Sequence, residues 1–192
     1  MQSRIPRQAA GEQGGRRPDG AGHEVRAEAE LASVVSAARR RAVRDGDRHV
    51  DTAHLLHSLL EYDPQARAVL GEGPHLARLL GYLVQRSIGY GLRWQGTVED
   101  SGAVPVVTEA AGLSPLAAAA MEHAGELAAR RGGGRARGVD LLAAIVVDPQ
   151  ARAVEVLCRA GIDPRTVFAR AGEHAGPVHD GGAPGPPGTS SR

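Results

Sequence analysis

Residues 63–69 read DPQARAV, and residues 148–154 read DPQARAV again. An Asp-Pro pair marks a helix start. The aspartate side chain accepts an end N–H, and proline suits the first helical position, where its missing N–H costs nothing. Each copy follows a short Leu/Val-rich stretch, LLHSLL at 55–60 and LLAAIVV at 141–147, and precedes further apolar residues. Seven identities at the same place in two matching helical patterns imply a tandem duplication.

Working outward from the first copy, residues 27–44 place Leu31, Val34, Val35, Ala38 and Ala42 at spacings of three and four, which predicts an amphipathic helix. The stretch DGDR at 45–48 breaks it, and a second helix follows from about Thr52, with Asp51 or Thr52 as cap and Leu55, Leu56, Leu59 and Leu60 inward. The heptapeptide opens a third helix through Leu70, and a fourth runs to about Ser87 with Leu76, Leu79, Leu80 and Leu83 on its apolar face. The order then recurs. Ser114-Pro115 starts a helix to Arg131, GGGRARG at 132–138 breaks it, and 139–147 forms the next. Asp148-Pro149 starts a third helix to Ala160, and Asp163-Pro164 starts a fourth.

The expected fold is all-α: a double four-helix repeat whose halves bury apolar faces against each other about a pseudo-two-fold axis. Repeat one covers 27–87, a Gly-rich linker with the sole tryptophan, Trp94, covers 88–112, and repeat two covers 113–174. Residues 1–26 and 175–192 mix Gly, Pro and polar residues without apolar periodicity and are expected to be disordered tails.

Composition agrees with helices. Hydrophobic residues make up 42% and aromatic residues 3%, so the core is Ala, Leu and Val, which suits close helix packing better than a β-sandwich. A net charge of +1 gives no pull toward nucleic acid or an anionic membrane. All 23 basic residues are arginine, a usage that fits a GC-rich genome and excludes a P-loop or a Schiff-base lysine. The single cysteine, Cys158, has no intrachain partner, and neither a signal-peptide core nor a membrane-length apolar run is present, so a cytoplasmic location is expected.

The ordered helices and their repetition resemble the N-terminal domain of the Clp-type AAA+ unfoldases, a double four-helix repeat. In that family a helix with alanines four apart leads to a Gly-Thr-Glu-His-Leu-Leu motif, a V-A-A-R-V-L helix and Gly-Val. Here repeat one offers Ala38 and Ala42, DGDRHV, then DTAHLL at 51–56. Repeat two offers Ser114-Pro115, Ala124 and Ala128, GVDLL at 138–142, AVEVL at 153–157 and GIDP at 161–164. The resemblance spans about 27–172. It implies a non-catalytic module that binds a Clp ATPase, an adaptor or an unfolded client polypeptide in quality control or regulated proteolysis, here free-standing without ATPase modules. It also implies a partner-binding groove between the repeats near Glu28, Thr52, Ala53, His54, Ser114, Val139 and Asp140. In phosphoarginine-binding members the motif glutamates hold a guanidinium. Position 53 is Ala and position 140 the shorter Asp here, and Glu28 stands where the family has a threonine, so the chain departs from that pattern.

Other chemistry is weaker. His54 and His57 share an i, i+3 spacing, but no further Cys or His completes a metal set, so a helix–helix surface position and a turn-facing ring are expected, and no metal or cofactor. Cys158 reads as a buried structural residue, and the serines lack a nucleophile-elbow setting. The carboxylates Glu28, Glu30, Glu122 and Glu126 read as solvated faces, and no catalytic residue is expected. Arg39, Arg40, Arg41, Arg44 and Arg48, with Arg130, Arg131, Arg135 and Arg137, favour helix C-termini. The alternative for them is an Arg-rich helical DNA-binding regulator, which lacks an accompanying recognition helix or interleaved aromatics.

Overall fold

In a computed structural model of the chain, the residues described are 19–87, 98–100, 112–132 and 134–176, with side chains described from 29 onward except at 86 and 87. They form α1 (Asp19–Asp45), α2 (Thr52–Tyr62), α3 (Pro64–Leu70), α4 (Pro74–Ser87), α5 (Pro115–Arg130), α6 (Gly138–Ile145), α7 (Arg152–Ala160) and α8 (Pro164–Ala175). Among the described residues there is no strand beyond one isolated parallel bridge, Val50 with Leu113, and no helix is long and apolar enough to cross a membrane. Trp94 and the segments 1–18 and 177–192 lie outside the described residues.

The capping chemistry read from sequence sets half of the eight helix starts. Asp63 accepts the Ala66 N–H at 2.9 Å ahead of Pro64, and Ser114 accepts the Ala117 N–H at 3.1 Å ahead of Pro115. Asp163 accepts the Arg165 N–H at 3.2 Å ahead of Pro164. Each such cap is worth about 1 kcal/mol. Two boundaries differ from the sequence reading. The first helix begins at Asp19 rather than 27, because extending a nucleated helix adds one hydrogen bond per residue even without an apolar stripe.

The second difference falls on the repeated heptapeptide. In its first copy Asp63 caps and Pro64 begins α3. In its second, Asp148 closes a turn on the Gln150 N–H at 2.8 Å and the Ala151 N–H at 3.1 Å, and α7 begins only at Arg152. Arg67 is exposed, whereas its sequence twin Arg152 is buried. One sequence thus takes two conformations, because tertiary partners outweigh local propensity.

The core is a continuous cluster drawn from all eight helices, centred on Leu55, Leu56, Leu59, Leu79, Leu83, Leu141, Leu142, Ile145 and Leu157. Burying each such side chain contributes roughly 1.5–3 kcal/mol relative to exposure. Within the cluster α1 packs on α2, α5 on α6, and α6 on α8. Between the first four helices and the last four, α4 meets α7, α3 meets α8, α2 meets α7, α3 meets α6, and α2 meets α6.

Gly138, the first residue of α6, explains how closely these elements approach. A Cβ there would stand 1.7 Å from Asp63 Oδ2, so no larger residue fits against the cap of α3. The same closeness dries the Asp63 carboxyl and pushes its pKa up.

Candidate functional site

Two places concentrate polar chemistry: a buried junction where helix starts from both halves meet, and an open cavity beside Asp140.

The junction begins with unsatisfied backbone donors. The first N–H groups of any helix lack internal partners and carry the positive end of its dipole. At α7 the cap position is Ala151, which has no side-chain acceptor. Glu99 supplies one from the linker. Its Oε1 accepts the Arg152 N–H at 2.7 Å and the Thr52 hydroxyl, while Oε2 accepts the Thr52 N–H at 2.9 Å and the Ser114 hydroxyl at 2.8 Å. The Thr52 hydroxyl in turn accepts the Ala153 N–H at 3.1 Å. One carboxylate therefore ties the starts of α2, α5 and α7 together, and it is only 4% exposed.

Beside it, Arg152 donates to Asp51 Oδ2 at 2.6 Å, with both side chains buried. Asp51 also caps α2 by accepting the His54 N–H at 2.9 Å, and His54 Nδ1 lies 3.1 Å from the Asp51 N–H, a reciprocal capping box with histidine in the third position. The His54 ring is 1% exposed, and its Nε2 points at Asp45 (3.5 Å) and Asp47 (3.4 Å). Val50 N–H to Gly112 O and Ser114 N–H to Val50 O, both 2.8 Å, complete the junction.

The cavity has a volume of about 270 Å³ and lies between α5, α6 and α8. Leu127, Ala143, Ala171 and Ala175 wall it, and Phe168, 44% exposed, stands at its edge. Arg130 and Arg131 bring charge to its rim. Arg131 grips Asp140 with both guanidinium nitrogens, Nη2 to Oδ2 at 2.9 Å, and Asp140 Oδ2 also accepts the Arg137 N–H at 2.8 Å. The Asp140 carboxylate, in the first turn of α6, is thus engaged by Arg131 and by the Arg137 N–H.

The sequence-expected partner-binding residues divide accordingly. Thr52, His54 and Ser114 meet in the junction, and Asp140 in the cavity wall; Ala53 and Val139 are core. All six are buried, so none presents an open face except where Asp140 meets the cavity. Glu28 lies on α1, and its side chain is outside the described residues. Sequence reasoning missed Glu99, which sits in a Gly-rich stretch and carries no periodic signal. It also missed the burial of Arg152.

One further expectation changes. Cys158 is exposed, because α7 buries Ala153, Val154, Val156, Leu157 and Ala160 on its other side. His54 lies between helices with its ring toward the α1–α2 turn. His57 is half-buried beside Arg41, and burial, reinforced by that guanidinium, pushes its pKa down to about 4. Several of the basic residues pair internally: Arg41 with Glu61, Arg130 with Glu126 at 3.3 Å, Arg131 with Asp140, and Arg137 with the Ala175 carbonyl at 2.7 Å.

Comparison of the chain with protein-family models gives no match, and comparison with curated proteins gives no similar sequence.

Proposed function

We propose that this chain is a double four-helix repeat of the Clp N-terminal kind, acting as a cytoplasmic, non-catalytic module that binds polypeptide segments at the cavity beside Asp140. The repeat reading is supported by reciprocal packing: α4 on α7 answers α8 on α3, and α2 on α7 answers α6 on α3. Such pairs are what a pseudo-two-fold arrangement requires. The repeated heptapeptide adds less than its identity promises, since its two copies begin their helices three residues apart in register.

The observation that carries the binding reading is the cavity itself. An apolar hollow of about 270 Å³ edged by a half-exposed phenylalanine suits one bulky side chain of a partner. Affinity would come from apolar burial. A phosphorylated arginine is disfavoured as ligand, because Asp140 already holds Arg131 in a bidentate grip. Clp ATPases, adaptors and clients are the partner classes that the family resemblance brings.

Fluorescence anisotropy with a labelled, reduced and alkylated polypeptide that cannot fold tests this on the full chain. Saturable binding is expected, with Phe168→Asp weakening it about tenfold or more. Val43→Asp, at an exposed position on α1, should leave it unchanged. Absence of saturable binding, or equal loss from both variants, removes the reading.

A further inference from the structure

The turn from α1 to α2 holds a group that the junction leaves unsatisfied. His54 Nε2 is buried and has no hydrogen-bond partner, and Asp45 Oδ1, also buried, has none either. A buried polar atom left without a hydrogen bond is costly, and for Asp45 Oδ1 the nearby charge is Arg44 Nε at 3.8 Å. The Nε2 atom is 3.4 Å from Asp47 Oδ2 and 3.5 Å from Asp45 Oδ2. Ring N–H to carboxylate hydrogen bonds run at about 2.7–3.2 Å, so these separations are long for direct bonds. They match another spacing: two ligands bound at about 2.0–2.1 Å to a tetrahedral ion stand about 3.3–3.4 Å apart.

We propose that His54 Nε2 and the carboxylates of Asp47 and Asp45 form a binding site for a zinc-class divalent transition ion. Donor atoms of Asp47, Asp51 and His54 already lie within 4.8 Å of one another; Asp45 stands outside that group, its Oδ2 3.5 Å from Nε2, and would turn toward the ion to join it. The imidazole selects a transition ion over magnesium or calcium, which prefer oxygen alone. Asp45 is the last residue of α1, so the negative end of that helix dipole faces the ion. Gly46, at φ +76°, folds the chain tightly enough to bring Asp47 back toward the ring.

Asp51 supplies the support that a metal-bound histidine needs. His54 Nδ1 lies 2.9 Å from Asp51 Oδ1 and 3.1 Å from the Asp51 N–H. With Nδ1 as acceptor, the ring proton sits on Nε2 in the metal-free chain. On metal binding Nε2 gives its proton to solvent and binds the ion, Nδ1 takes a proton from solvent and donates it to the Asp51 carboxylate, and the Asp51 N–H gives up its bond to Nδ1. The result is a carboxylate–histidine–metal relay. The ion would lock the α1–α2 turn, and through Asp51 and Arg152 it would stiffen the contact between the halves.

The tag-free full chain, stripped with a chelator, is titrated with Zn²⁺ by calorimetry and with Co²⁺ by visible absorption. Expected are one equivalent per chain, Co²⁺ bands of a low-coordinate nitrogen–oxygen site, and transfer of the His54 ring proton from Nε2 to Nδ1 in ¹⁵N spectra. Asp47→Asn, whose side chain is 24% exposed and whose loss spares the core, weakens binding about tenfold or more, while His123→Ala on α5 leaves it unchanged. No heat and no bands at millimolar metal overturn the assignment. So does an affinity indifferent to Asp47→Asn, or a His54 ring that takes up protons and ignores metal.

Discussion

Glu99→Gln is the sharpest test of the junction, because the substitution changes almost nothing except hydrogen-bond polarity. Each Glu99 oxygen receives one backbone N–H and one hydroxyl: Arg152 N–H at 2.7 Å and the Thr52 hydroxyl on Oε1, Thr52 N–H at 2.9 Å and the Ser114 hydroxyl at 2.8 Å on Oε2. A glutamine has one accepting oxygen. Whichever way its amide is turned, the NH₂ group meets a helix-start N–H head-on. The hydroxyls can rotate, but the backbone donors cannot. One orphaned buried N–H costs about 1–3 kcal/mol, and replacing charge-assisted bonds by neutral ones costs roughly 1 kcal/mol more. The expected loss is therefore about 2–4 kcal/mol in urea unfolding, with an unchanged m-value. That corresponds to a fall in melting temperature of roughly 5–15 °C for a domain of this size. A loss below about 0.5 kcal/mol would show that Glu99 does not bind the halves together, and the reasoning would fail.

Four other outcomes follow from the same geometry. Arg152→Leu should cost about 3–5 kcal/mol by stranding the buried Asp51 charge, and the Asp51→Asn/Arg152→Leu pair should cost less than the sum of its single changes in a double-mutant cycle. Gly138→Ala should destabilise by about 2–4 kcal/mol, since the new methyl displaces Asp63 from its cap; calorimetric melting measures it. Asp63→Asn keeps an acceptor for the Ala66 N–H and removes a buried charge, so its stability at pH 7 should equal or exceed the parent's. Lastly, the pKa of His57 is pushed down from 6.5 to about 4, so between those values the unfolded chain binds a proton that the folded chain refuses. Stability then falls as pH drops through that window and levels off below it, and His57→Gln should flatten that part of the curve.

Much of the fold was legible because helix starts are local chemistry. Ser114-Pro115, Asp63-Pro64 and Asp163-Pro164 each announce a helix that the structure contains, and the leucine spacing of 52–62 and 74–87 marks the faces that enter the core. The helix break at 45–48 was equally plain from Gly46 between two aspartates. What sequence could not reveal were effects made by distant partners. Asp148-Pro149 looks like a helix start but becomes a turn, because Arg152 and Ala153 are drawn to Asp51, Thr52 and Glu99. Glu99 has no neighbours in sequence that hint at its burial. The orphaned face of His54 depends on where Asp45 and Asp47 fall after the turn, which spacing alone does not fix. The cavity at Asp140 arises from α8 standing against α5 and α6, a tertiary arrangement that only Phe168, an exposed aromatic in an aromatic-poor chain, could have hinted at.

Amide chemical-shift mapping of the ¹⁵N-labelled full chain, titrated with a permanently unfolded polypeptide, probes the binding surface residue by residue. If the chain grips other polypeptides through the hollow beside Asp140, the changes should gather on Leu127, Arg130, Ala143, Phe168 and Ala171 and saturate together. Shifts scattered over the surface, shifts confined to α1, or a spectrum unmoved at high polypeptide concentration would contradict it.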